Sequence, residues 1–177
     1  MKILFRATGD FMAAVRRDLS RRHPFAHERV GFITARAAQG HDHLVVLAED
    51  YHPVADNDYV PDPSVGAMIG QEALRKALEL ALLKPVGVFH VHLHGLPAGR
   101  RLWFSPIDLR EQVKFVPDFF KVRRNMPHGA IVLSPYSAAG RVWLRPDEIV
   151  NFSEFVEVDA QVSIRKSSQD GSTDFYA

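Results

Sequence analysis

The 177-residue chain has no cysteine. Disulfide frameworks, thiolate metal sites and thiol nucleophiles are excluded by that fact alone. It also has no excess of either charge: 22 Lys and Arg face 21 Asp and Glu, a net charge of +1. A general binder of nucleic-acid phosphates would be more basic. No apolar run approaches the ~20 residues of a membrane span. The first residues, MKILFRATGD, have neither the apolar stretch nor the small-residue cleavage site of a secretory signal. These absences lead us to expect a cytoplasmic protein without nucleic-acid or membrane partners. What remains is ordinary: 46% hydrophobic and 24% charged residues, enough to build one domain with its own core.

Hydrophobic periodicity predicts mixed secondary structure. Strands are expected at 2–7, 28–36, 43–49 and 86–93, a hairpin pair at 130–134 and 141–144, and a further strand within 152–165. Helices are expected at 10–22, with Asp10 as N-cap, and at 67–83, where Leu74, Leu78, Ala81 and Leu82 recur at helical spacing. A third begins after Ser105-Pro106, a cap followed by proline at the first helical position, and runs to about Phe115. The Pro-, Asp- and Asn-rich stretch 51–66 is a long loop with a short strand at Tyr59-Val60, a candidate flap. The expectation is one α/β (α+β) domain over 1–165, a mixed or antiparallel sheet flanked by helices, with a flexible tail at 166–177.

Three of the nine histidines, His90, His92 and His94, alternate along an apolar strand. Residues two apart share a strand face, so they form one imidazole ridge. Buried imidazoles without partners cost about 1–3 kcal/mol each, which packing alone does not explain. Downstream, Ser105 and Asp108 form Ser-Pro-Ile-Asp at a helix start. By itself this is a capping box; beside a histidine ridge, the Asp can complete a three-ligand zinc site with an open fourth position. Glu28, in His-Glu-Arg-Val-Gly-Phe ahead of a strand, is either a solvated boundary residue or a base held at the edge of the core.

In order, Glu-x-x-Gly-Phe, a strand ending in His-x-His, and Ser-x-x-Asp resemble the JAMM (MPN-domain) metalloproteases, in particular the prokaryotic JAB type. The resemblance runs from about Lys2 to Glu157. It implies the JAMM/MPN, cytidine-deaminase-like sandwich fold and one Zn²⁺ per chain. It implies that two histidines and Asp108 hold the metal, that Glu28 takes the proton of the attacking water and passes it to the leaving amine, and that Ser105 steadies the oxyanion. It further implies a deubiquitinase-like isopeptidase or peptidase cutting after the C-terminal glycine tail of a ubiquitin-like or sulfur-carrier protein. Such enzymes work beside E1- and E2-like enzymes, in bacterial conjugation pathways that can include phage defence.

Twelve residues separate His92 from Ser105, and ten separate His94 from it, more than is usual in the family. The Val-Gly-Val-Phe before His90 resembles the family strand and favours His90/His92 as the ligand pair; the spacing favours the alternate register with His94. Val91 stands where Ser or Thr is usual. The lengthened loop carries Arg100, Arg101 and Trp103, expected either as a solvated surface or as a rim gripping the substrate tail. Two other readings stay open. His-Val-His-Leu-His-Gly also resembles the HIT nucleotide hydrolases, with His92 as nucleophile, although some eighty residues follow it. A non-catalytic MPN scaffold is the third.

Overall fold

The computed structural model describes residues 1–23, 26–62, 64–95 and 102–159, and the backbone of 162–167 and 172–174. Ten strands form one mixed sheet in the order β10-β9-β8-β1-β3-β2-β4-β5-β6-β7. They are β1 (Lys2–Thr8), β2 (Val30–Gln39), β3 (His43–Pro53), β4 (Gly87–Leu93), β5 (His128–Leu133), β6 (Ala138–Arg145), β7 (Glu148–Asn151), β8 (Glu154–Val158), β9 (Val162–Ser167) and β10 (Ser172–Asp174). The parallel pairs are β1–β3, β1–β8 and β4–β5; the rest are antiparallel. β10 also pairs with β6, so the sheet curls back on itself. The tail expected beyond residue 165 thus contributes a strand.

Among the described residues, three α-helices cover the sheet: α1 (Gly9–Leu19), α2 (Gln71–Leu83) and α3 (Pro106–Val122). Alternate residues of each strand feed opposite faces, and the two cores follow that alternation. One face buries α1 through Met12, Val15 and Leu19 against Phe5, Ile33, Val46, Phe89, Val91 and Ile131. The other buries α2 and α3 through Ala73, Ala77, Val116 and Phe119 against Val30, Phe32, Val88 and Trp143. His90 and His92 alternate with Phe89 and Val91 and therefore lie on the α2/α3 face.

Several boundaries move from expectation for local reasons. Thr8, not Asp10, caps α1: its Oγ1 accepts the Phe11 N–H at 3.2 Å. Residues 67–70 are not helical; Ile69 bridges back to Tyr59, and α2 starts only after Gly70. α3 continues past Phe115 to Val122 and through Pro117. Proline there costs a backbone bond, about 3 kcal/mol. The adjacent Val116, Phe119 and Phe120 are buried, and full burial of such side chains is worth about 1.5–3 kcal/mol each.

Candidate metal centre

Four residues from three parts of the fold meet at the C-terminal end of β4. His92 ends the buried part of the strand, and the His94 N–H still donates to the Leu133 carbonyl at 2.8 Å, which carries the strand geometry one step beyond β4. The His92 and His94 Nε2 atoms lie 3.0 Å apart. Asp108 arrives from the first turn of α3 and sets Oδ2 3.5 Å from each of them. Glu28 arrives from the segment before β2. There Val30 pairs with His92 in antiparallel register, so two residues further out Glu28 stands opposite His94, with Oε1 3.8 Å from its Nε2. The backbone of this segment is held by the buried Arg29 guanidinium, which donates to the Arg21 and Arg22 carbonyls, both at 3.0 Å, and to Asp56 at 2.7 Å. Glu28, His92 and His94 each bring a ligand atom within 4.8 Å of the other two, a group that could hold a metal ion.

The capping box at α3 and the presentation of Asp108 are one structure. The Asp108 N–H donates to Ser105 Oγ at 3.2 Å, and the Ser105 N–H donates to Asp108 Oδ2 at 2.8 Å. That same Oδ2 faces both imidazoles. Burial opposes the charge on Asp108, but hydrogen bonds from His92, His94 and Ser105 outweigh it and hold the carboxyl well below the ordinary range. The Asp108 hydrogen bond in turn raises His94, against its burial. Among the described residues Ser105 Oγ acts as an acceptor, which leaves its own O–H as a donor on the cleft that it lines.

The cleft has a volume of about 680 Å³. One wall is α3 from Ile107 to Asp118, the other is the 64–69 segment, and Glu28, His90, His92, His94 and Ser105 line it as well. Of the two expected registers, His90/His92 and the alternate with His94, it is His92 and His94 that the structure brings together with the carboxylates. His90 lies deeper along β4, 5.4 Å ring to ring from His92 and between Phe32 and Phe115. Burial, with His92 adding to it, pushes His90 down to about 3, so it is a neutral wall of the cleft.

Of the expected rim, Arg100 and Arg101 lie outside the described residues. Trp103 is partly buried against the cluster of Leu102, Phe104, Ala130 and Val132 rather than standing free. Phe104 is a contributor the sequence reading missed. Its ring lies 6.1 Å from His92 and packs with Leu109. An aromatic residue just before the cap and an apolar residue four into the helix are the signature of a hydrophobic staple, and Phe104-Ser-Pro-Ile-Asp-Leu109 displays it. Gly66 was missed as well: its carbonyl accepts the N–H groups of His27 at 2.8 Å and Glu28 at 2.9 Å. A lone glycine inside a loop carries no spacing signal.

No protein-family model matches the chain, and no curated protein matches it. Among solved structures, the Trichoplax adhaerens STIL N-terminal domain is similar at a TM-score of 0.37 and 9% identity, over 78% of this chain and 41% of that one. A likeness that slight carries no functional argument. No helix among the described residues is long and apolar enough to cross a membrane.

Proposed function

We propose that the chain is a zinc-dependent isopeptidase or peptidase of the JAMM/MPN type, with the corresponding fold. Its substrate is the C-terminal glycine tail of a ubiquitin-like or sulfur-carrier protein, cut in deconjugation or precursor processing. A bacterial pathway with E1- and E2-like partners, phage defence included, is the setting that fits. The observation that carries the reading is the convergence of His92, His94, Asp108 and Glu28 in the lining of one cleft.

The donor set fits zinc. With bonds of 2.0–2.1 Å in a tetrahedron, neighbouring ligand atoms lie about 3.3 Å apart. The separations among His92 Nε2, His94 Nε2 and Asp108 Oδ2 are 3.0, 3.5 and 3.5 Å. These three atoms would hold the ion, and Glu28, further from His92, is left for proton transfer. When bound, zinc supplies Lewis acidity that polarises a carbonyl and acidifies water. Glu28 Oε1 then accepts the proton of the attacking water and returns it to the leaving amine. The Ser105 O–H donates to the developing oxyanion, an interaction worth about 3 kcal/mol in comparable sites. The two cleft walls align an extended tail and exclude solvent. The rival use of His92 as a nucleotide-hydrolase nucleophile is disfavoured: the residue is 1% exposed, and its Nε2 faces His94 and Asp108.

The test is zinc per chain by elemental mass spectrometry on untagged protein, run beside a panel of ubiquitin-like substrates. A ratio near one, with cleavage abolished by chelator and restored by zinc, is expected. A ratio near zero that added zinc does not raise overturns the reading.

A further inference from the structure

Glu28 belongs to no regular element, yet a proton-transferring carboxylate has to be held to a fraction of an ångström. The structure holds it with a strap. Its two limbs, residues 59–62 and 64–69, are joined by the Tyr59–Ile69 bridge, with the Val60 N–H donating to the Met68 carbonyl at 2.8 Å. The strap is fastened to the start of β2 by the Tyr59 hydroxyl, which accepts the Val30 N–H at 2.8 Å. At its far limb the Gly66 carbonyl accepts two successive N–H groups, those of His27 and Glu28. The bare Cα of Gly66 lies directly against the Glu28 carboxylate: a Cβ there would stand 2.6 Å from Oε2 and 2.7 Å from Cδ. The obstructing atoms are the end of a flexible side chain rather than backbone, so a larger residue would push the carboxylate aside before it disturbed the fold.

We infer that Gly66 is the positioning residue for Glu28, its carbonyl pinning the backbone at 27–28 and its missing side chain leaving the seat in which the carboxylate rests. The catalytic consequence rests on the proposed role of Glu28; the seat itself does not. Gly66 and its neighbours on the strap also line the cleft. A ligand lying in the cleft therefore presses on the same segment that sets the base.

Gly66→Ala tests this in two ways. In metal-free protein, the Glu28 side-chain carboxyl carbon, observed by carbon-detected NMR, is expected to shift from its wild-type position. In zinc-loaded protein, kcat is expected to fall between about 10- and 100-fold with KM within about twofold and zinc content unchanged. An unmoved carboxyl resonance overturns the seat; a moved resonance with unchanged kcat overturns the positioning role. If wild type cleaves nothing, the peptidase reading is what fails, and the resonance still decides whether the seat exists. Should Gly66→Ala fold poorly, Glu28→Ala is compared with Glu28→Ala/Gly66→Ala. With no carboxylate to displace, the double variant must melt like Glu28→Ala, and a double variant as unstable as Gly66→Ala alone overturns the inference.

Discussion

Asp108 performs two tasks with one oxygen. Its Oδ2 closes the α3 capping box through the Ser105 N–H and faces both imidazoles. The tasks separate by substitution. Asp108→Asn keeps an acceptor for the Ser105 N–H but removes the charge, so zinc content should fall steeply, and the metal-free chain should lose the stability that the imidazole–carboxylate contacts supply while keeping the cap. Asp108→Ala should lose both, the cap being worth about 1 kcal/mol. Full zinc occupancy in Asp108→Ala would reduce Ser-x-x-Asp to a cap alone. The histidine register separates in the same way. His94→Ala is expected to empty the site, and His90→Ala to leave zinc near one per chain, because only His94 shares the 3.0 Å contact with His92. Glu28→Gln should retain zinc and lower cleavage by about 100-fold or more. Cleavage at wild-type rate would remove Glu28 from the proton-transfer role.

Among the elements, β5 contains a buried titratable group outside the candidate site. His128 is 0% exposed, accepts the Val88 N–H at Nδ1 over 3.1 Å, and donates from Nε2 to the Arg123 carbonyl over 2.9 Å. It stacks on Phe119 of α3 and so ties the end of that helix to β4 and β5. Burial pushes it down to about 4 from an ordinary value of 6.5. A lowered histidine stabilises the fold fully above pH 6.5, and the contribution is lost as pH falls from 6.5 through 4, because the unfolded chain binds the proton first. The loss is on the order of 3 kcal/mol. Melting curves of wild type and His128→Asn from pH 7 to 4 should show a steeper decline for wild type, although the variant starts less stable. Parallel curves would show that His128 is not the responsible group.

Across the whole molecule, the curled sheet closes around an aromatic cluster. Phe152, between β7 and β8, lies within ring contact of Phe5, Phe89 and Phe155 and is 1% exposed. Gly140 of β6 makes room for it, since a Cβ there would come within 2.6 Å of the ring. Phe152→Ala should cost about 3–5 kcal/mol, and at about 2–4 °C per kcal/mol for a chain of this size the melting temperature should fall by roughly 10 °C or more. The site lies on the opposite, α2/α3 face, so zinc content per folded chain should not change. A loss of zinc at temperatures where the variant stays folded would show that the two faces are coupled.

Local chemistry was legible in the residues themselves. Alternation at 86–93 marked a buried strand with one imidazole face, Ser-Pro-Ile-Asp marked a helix start, and the order Glu28, histidines, Asp108 marked a candidate site. These depend on spacing along the chain, which the sequence states directly. The pairing of the candidate histidines did not. His90/His92 and His92/His94 are equivalent on an isolated strand, and what separates them is where α3 and the segment before β2 arrive, at the far end of β4 and not at its middle. The extent of α3 beyond Phe115 was hidden for a related reason: a proline that breaks an isolated helix is tolerated where Val116, Phe119 and Phe120 bury against Phe32 and Trp143. The seat at Gly66 was equally invisible, since a missing side chain matters only when a distant carboxylate is brought against it. The sequence by itself determined which groups could react and which local elements would carry them. Only the tertiary structure decided which of them meet, because contacts between residues as far apart as Glu28 and His94 are set by sheet register and helix packing, which no local pattern encodes.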